Sequence, residues 1–255
     1  MNAKAAFTLL ELTIAVLIVA VLTALMLSAT QVARARGDAS RCVTNLRQLA
    51  TANLAYAADN ESRYVPAQDQ TNTIRWHGVR HATWARFDPT KGPLAPYLGQ
   101  NRRVKICPAL ERVLTGADTF EDGTGGYGYN ATYIGGTPRD PFTPELTVKV
   151  IRPSGTLMFA DCAFPRDKGL QEYAFAEPWQ WVDYAGRLRG SLAPSVHFRH
   201  AGRAHIAWCD GHVTAEKPER FGGLNRYGGN ASEHQIGWLG SPDQNGIWNP
   251  LRSNP

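Results

Sequence analysis

A chain of 255 residues with a net charge of +5 can hold one sizeable domain plus an anchor, and is too weakly basic to read as a nucleic-acid binder. Charged residues at 19% and hydrophobic ones at 43% are an ordinary globular balance, which excludes a protein that crosses a membrane many times. The basic residues are scattered, and Arg34, Arg36, Arg41 and Arg47, which follow an apolar segment, suit contact with lipid headgroups.

That segment, Leu12 to Ala33, is 22 residues without a charge, a Pro or a Gly. As a helix it is about 33 Å long, enough to cross a hydrocarbon core of about 30 Å. A cleaved secretory signal would have a basic start, a shorter apolar core and a small-x-small site after it. Here only Lys4 is basic, and an acid, Glu11, stands at the entrance of the core. A carboxylate at the edge of a bilayer is costly unless it sits at the interface near a helix N-terminus or meets a cation. Cutting the chain before Phe7 would create such a cation, the new α-amine.

Ala6-Phe7-Thr8-Leu9-Leu10-Glu11 resembles the prepilin cleavage and N-methylation motif of type IV pilins and type II secretion pseudopilins. The resemblance implies a leader of residues 1–6, cleavage by a prepilin peptidase, and methylation of Phe7. It implies that Glu11, then the fifth residue, assists processing and pairs with a neighbouring subunit's N-terminus. The family usually has Gly before the cut, where this chain has Ala6. One basic residue before the segment against four Arg after it would place the C-terminal part in the cytoplasm. The resemblance implies the reverse, a single-pass protein of the bacterial inner membrane with its domain extracytoplasmic.

Beyond residue 33 the helical pattern continues. Val32, Ala35, Ala39, Val43, Leu46, Ala50, Leu54 and Ala57 recur at three or four residues, one apolar stripe that ends at Asp59-Asn60 and Pro66. The expected organisation is a transmembrane helix over 7–33, a helical stem over 34–59, a β domain over 60–221 and an irregular C-terminal tail over 222–255. The fold class is α+β, a long helix packed on an antiparallel sheet with long loops. Gly, Pro, Asn and Asp punctuate residues 60–255. Within them Thr147–Ile151 and Thr156–Ala160 read as strands. His205–Cys209 and Val213–Ala215 read as a hairpin turning at Asp210-Gly211. In strand alternation Ala204, Ile206 and Trp208 face one side, and His205, Ala207 and Cys209 the other.

The four cysteines Cys42, Cys107, Cys162 and Cys209 form no Cys-x-x-Cys pair, which argues against a zinc ribbon or thioredoxin motif. Behind a membrane segment they point to an oxidising compartment and up to two disulfides, with four buried thiols as the alternative. If the strands carrying Cys162 and Cys209 are neighbours, those two can pair, leaving Cys42 for Cys107. That is one of three connectivities.

A second resemblance joins His200 to Asp210-Gly211, a His, nine residues, Asp-Gly signature found at the C-terminus of many prepilin-like proteins of bacteria. Cys42 with Asn45-Leu46-Arg47-Gln48-Leu49, Cys107-Pro108, Tyr127-Gly128-Tyr129-Asn130 and Ala160-Asp161 fit the same group. Asp161, His197, His200, Asp210 and His212 are carboxylates and imidazoles that the hairpin can gather. They suit either a divalent cation such as calcium or a structural hydrogen-bond network. No Gly-x-Ser-x-Gly, His-Glu-x-x-His or phosphate loop is present, so no catalytic residue and no enzyme activity is expected. Trp76, Trp84, Trp179 and Trp181 can serve a sugar- or surface-binding platform, although most tryptophans are core.

The expected function is therefore a pilin or pseudopilin subunit. Its partners would be the prepilin peptidase, other subunits, an inner-membrane assembly platform and lipid. The alternative is a membrane-anchored binding module, for a glycan or a cation, that does not assemble.

Overall fold

The computed structural model describes residues 8–115, 121–137, 142–167, 169–183, 185 and 187–251. The expected leader, with Ala6 and Phe7, lies outside them. An α-helix of 51 residues, Leu9–Asp59, opens the chain, about 77 Å long at 1.5 Å per residue. Thr8 caps it in a capping box: its hydroxyl accepts the Glu11 N–H at 3.2 Å, and its own N–H donates to Glu11 Oε2 at 2.9 Å. Every residue from Leu9 to Gly37 is exposed, and this stretch is apolar enough to cross a membrane. Its hydroxyls are satisfied within the helix. Thr13 donates to the Leu10 carbonyl, Thr23 to Val19, Ser28 to Leu25 and Thr30 to Leu27, all at 2.9 Å or less. Four polar side chains thus ask nothing of a surrounding hydrocarbon.

From Asp38 onward the helix is docked. The buried face is rotated from the expected stripe and runs through Asp38, Cys42, Asn45, Leu46, Leu49, Ala50, Asn53 and Ala57. Val32 and Ala35 are exposed. Three polar side chains carry the docking. Asp38 pairs with Arg112 at 2.5 Å. Asn45 donates to the Tyr127 hydroxyl at 3.1 Å and to the Lys105 carbonyl at 3.2 Å. Asn53 donates to the Tyr129 hydroxyl at 3.3 Å and accepts the Val65 N–H at 2.9 Å. Asn53→Leu, which strands the buried Val65 N–H and leaves the Tyr129 hydroxyl only its bond to the Val65 carbonyl, is expected to cost about 1–3 kcal/mol, read as a lowered urea midpoint.

The stem lies on a four-stranded antiparallel sheet in the order Val213–Glu216, Ala204–Trp208, Leu157–Asp161, Tyr127–Tyr129. Ile206 is opposite Ala160, and Ala207 opposite Phe159, before a register shift at Trp208. Phe159, Ala207, Cys209, Tyr127 and Tyr129 pack in one core cluster with Cys42, Leu46 and Leu49 of the stem. Ala204, Ile206, Trp208, Ala160 and Cys162 belong to a second cluster with Trp179, Trp238 and Trp248. The sheet is therefore a partition between the stem and a tryptophan-rich layer, and the expected alternation holds.

Three expectations are corrected. Thr147–Lys149 is a 3-10 turn rather than a strand; Pro144 and Pro153 bracket it, and Val148 and Ile151 stay exposed. The C-terminal region is not an irregular surface tail. Ile236–Trp238 pairs with Arg220–Phe221 and Val196–His197, and Trp248 is fully buried, donating to the Ala176 carbonyl at 3.1 Å. Its Gly, Asn and Pro content masked four large apolar residues: Trp238, Leu239 and Trp248 close the second cluster, and Ile236 joins the first. The domain therefore runs through residue 251 with no division at 221. The four tryptophans form no common platform either: Trp76 and Trp179 are core, and only Trp84 and Trp181 are exposed.

Candidate functional site: the Asp161 cluster behind the stem

Asp161 ends the central strand Leu157–Asp161 and is fully buried. A buried carboxylate needs a cation and hydrogen-bond donors. Arg199 supplies the cation, its Nη2 lying 2.6 Å from Asp161 Oδ1, and the His205 N–H donates to Oδ2 at 2.7 Å. His200 Nε2 and His205 Nδ1 stand 3.4 and 3.3 Å from Oδ2, with the two imidazole rings 4.3 Å apart. Burial pushes the Asp161 carboxyl up, but Arg199 and the histidines outweigh it and hold it at about 2. Burial holds His200 down at about 4, with the Asp161 charge opposing, and keeps His197 well below its ordinary value.

Arg199 spends its remaining donors locally. Nη2 also donates to the Gly126 carbonyl at 2.8 Å, Nη1 to the Cys162 carbonyl at 3.3 Å, and Nε reaches Cys107 Sγ at 3.3 Å. Cys107 is disulfide-bonded to Cys42 of the stem, and its sulfur lies 3.6 Å from His200 Nε2. The cluster thus backs the covalent link between helix and sheet.

Of the five expected network residues the fold gathers three. Asp161 and His200 touch directly, and His197 Nδ1 joins through Arg199 at 3.4 Å. Asp210 and His212 sit at the far end of the Ala204–Trp208 strand, exposed, where Asp210 Oδ1 accepts the His212 N–H at 3.1 Å and faces its ring Nδ1 at 2.5 Å. That pair shapes the hairpin turn, and Gly211 takes φ +90°, the left-handed region that favours glycine. Arg199 and His205 escaped the sequence reading. The only signal was a lone cation inside Val196-His197-Phe198-Arg199-His200, a stretch otherwise patterned for burial.

One sulfur of each of Cys42 and Cys107, an Asp161 oxygen and a His200 nitrogen lie within 4.8 Å of one another. Both sulfurs are consumed by the disulfide, and a guanidinium already fills the first contact of the carboxylate. The geometry supports a structural network rather than a cation site. Ser195 is equally committed: its hydroxyl donates to the Phe175 carbonyl and accepts the Glu177 N–H, both at 2.9 Å. The expected pairing of Cys162 with Cys209 does not form. Their strands are neighbours, but antiparallel pairing puts the two residues at opposite ends, about 20 Å apart along the strand, and on opposite faces.

The His, nine residues, Asp-Gly signature now has a physical reading. His200 sits at the level of Cys42 on the stem, while a side chain at Gly211 would meet Leu54 twelve residues further on. Twelve residues of helix cover about 18 Å, close to the length of the intervening strand. The two ends of the signature therefore bracket the docked stem. No protein-family model, no curated protein and no solved structure matches the chain.

Proposed function

We propose that the chain is a pilin-like subunit. It is cut before Phe7 by a prepilin peptidase and held in the bacterial inner membrane by the exposed half of its helix, with its β domain extracytoplasmic. It then assembles through that helix into a type IV pilus or type II secretion-like filament. The observation that carries the reading is the division of one helix at Asp38. Among the described residues the half before it is exposed throughout, and the half after it is fixed to the domain by a disulfide and three polar side chains. An apolar helix held rigidly away from its domain is built to bury that surface elsewhere, first in lipid and then against identical helices. The resemblance of residues 6–11 to the processing motif supports this, as does Glu11 at the tip of the helix.

Mass spectrometry of the membrane-extracted protein is expected to show loss of residues 1–6 and one methyl group on Phe7. Glu11→Ala is expected to reduce recovery of sheared filaments at least ~10-fold, as an unpaired charge in an apolar bundle does. An intact N-terminus together with unchanged behaviour of the variant would leave the rival reading, an anchored module that stays monomeric.

A further inference from the structure

A cleft of about 850 Å³ opens between the Phe164–Arg166 and Gly169–Gln171 hairpin, the Gln180–Val182 strand and the 223–227 loop. Its size falls in the range of small-molecule sites. The rim carries two exposed aromatic rings, Trp181 and Tyr227, and Phe164 and Tyr173 continue the aromatic wall inward with ring centroids 5.0 Å apart.

The polar groups of the cleft are few and mostly spent. Glu121 is ion-paired with Arg75. Glu177 accepts the Tyr173 hydroxyl proton at 2.6 Å, and burial raises its carboxyl, which favours the neutral form. Arg166 and Arg226 both lie over the Tyr227 ring, and Arg226 also donates to its hydroxyl. Two buried atoms are not spent, Gln171 Oε1 and Trp238 Nε1. Gln171, 7% exposed, lines the cleft, and its Oε1 has no hydrogen-bond partner among the described residues. A buried acceptor left open costs free energy unless a donor arrives from outside the chain.

We propose that this cleft binds a neutral saccharide. One face of a pyranose ring would stack on Trp181, and a sugar hydroxyl would donate to Gln171 Oε1. The donor to Gln171 is best supplied by an uncharged group, because Glu121 is already ion-paired and burial favours the neutral form of Glu177, so neither carboxyl compensates a buried cation. It must also belong to a molecule with flat apolar faces that suit aromatic rings. A sugar ring offers both. This site stands whether or not the chain assembles.

The test uses the full chain in detergent micelles. Titrations follow tryptophan fluorescence and heat with cellohexaose, laminarihexaose, maltohexaose and chitohexaose, and with a heparin hexasaccharide as the anionic comparison. Saturable binding of at least one neutral hexasaccharide is expected, weakened at least ~10-fold by Gln171→Leu and by Trp181→Ala and unchanged by Trp84→Ala. Trp181 is on the surface, so its variant keeps the fold and decides the matter if Gln171→Leu unfolds. Absence of binding by all four neutral probes at millimolar concentration overturns the proposal. So does binding of the heparin fragment alone, or neutral binding that Trp181→Ala leaves intact.

Discussion

Removing the Cys42–Cys107 disulfide is expected to cost about 4 kcal/mol, the entropy regained by an unfolded chain no longer closed across a sequence separation of 65. For a domain of this size that corresponds to a fall of about 10 °C in melting temperature. The bond joins the stem to Cys107, which caps the short Pro108–Glu111 helix, so its loss also frees the disulfide cross-link that fixes the stem against the domain. Cys42→Ala with Cys107→Ala, or reductant on the native chain, is expected to show the same shift in a urea titration in detergent. Cys162→Ala and Cys209→Ala remove only buried sulfur atoms and are expected to cost about 1 kcal/mol each. Burial pushes both of those thiols up to about 12, so they resist alkylation until the chain unfolds. Unfolded without reductant, the chain should take up alkylating agent at Cys162 and Cys209 alone. A midpoint that reductant does not move would remove the disulfide from any account of stem docking.

The helix, the hairpin and the facing of the central strands were legible because each rests on periodicity. Residues 12–33 carry no charge, Asp59-Asn60 stops the pattern, and alternation through 204–209 sorts the two sides of the sheet. What periodicity cannot see is a polar side chain that faces inward because its partner is far away in sequence. Asn45 and Asn53 read as solvent-facing until Tyr127 and Tyr129 arrive from 82 and 76 residues away. Arg199 and His205 were overlooked for the same reason, since only the fold brings Asp161 to them. The reverse error befell Asp210 and His212. Their residue types suggested a shared centre, but five residues of extended strand hold them apart from His200. The Cys162–Cys209 expectation failed on direction, because neighbouring strands say nothing of which ends meet. Residues 222–251 failed on composition, where loop-forming residues outnumber the few tryptophans and aliphatics that do the burying.

Breaking the Asp161–Arg199 pair is expected to be as damaging as losing the disulfide. Both side chains are almost wholly inaccessible, at 0% and 3%, so either one left alone is an uncompensated buried charge. Asp161→Asn and Arg199→Met are each expected to cost about 3–5 kcal/mol, and the double variant less than the sum, because the second substitution removes the charge that the first stranded. Acid should expose the same logic in the native chain. His77 is fully buried between Arg75 and Arg80, and burial first, then those charges, hold it at about 3; His200 is held at about 4. Both lie below the ordinary 6.5, so as pH falls the unfolded chain takes the proton first. Their stabilisation is complete above about pH 6.5 and drains downward, with His77 alone accounting for about 3 kcal/mol by pH 4. Asp161, held at about 2 against an ordinary 3.8, keeps its contribution above about pH 4 and loses it between there and pH 2. Urea midpoints of the full chain should therefore be flat between about pH 7 and 8 and fall in two stages on acidification. Asp161→Asn should start lower and lack the second stage, while the first persists because burial, not the carboxylate, keeps the imidazoles neutral. A native chain equally stable at pH 7 and pH 4, or an Arg199→Met variant within about 1 kcal/mol of it, would mean that water reaches this cluster and that the stem is held by its apolar face and disulfide alone.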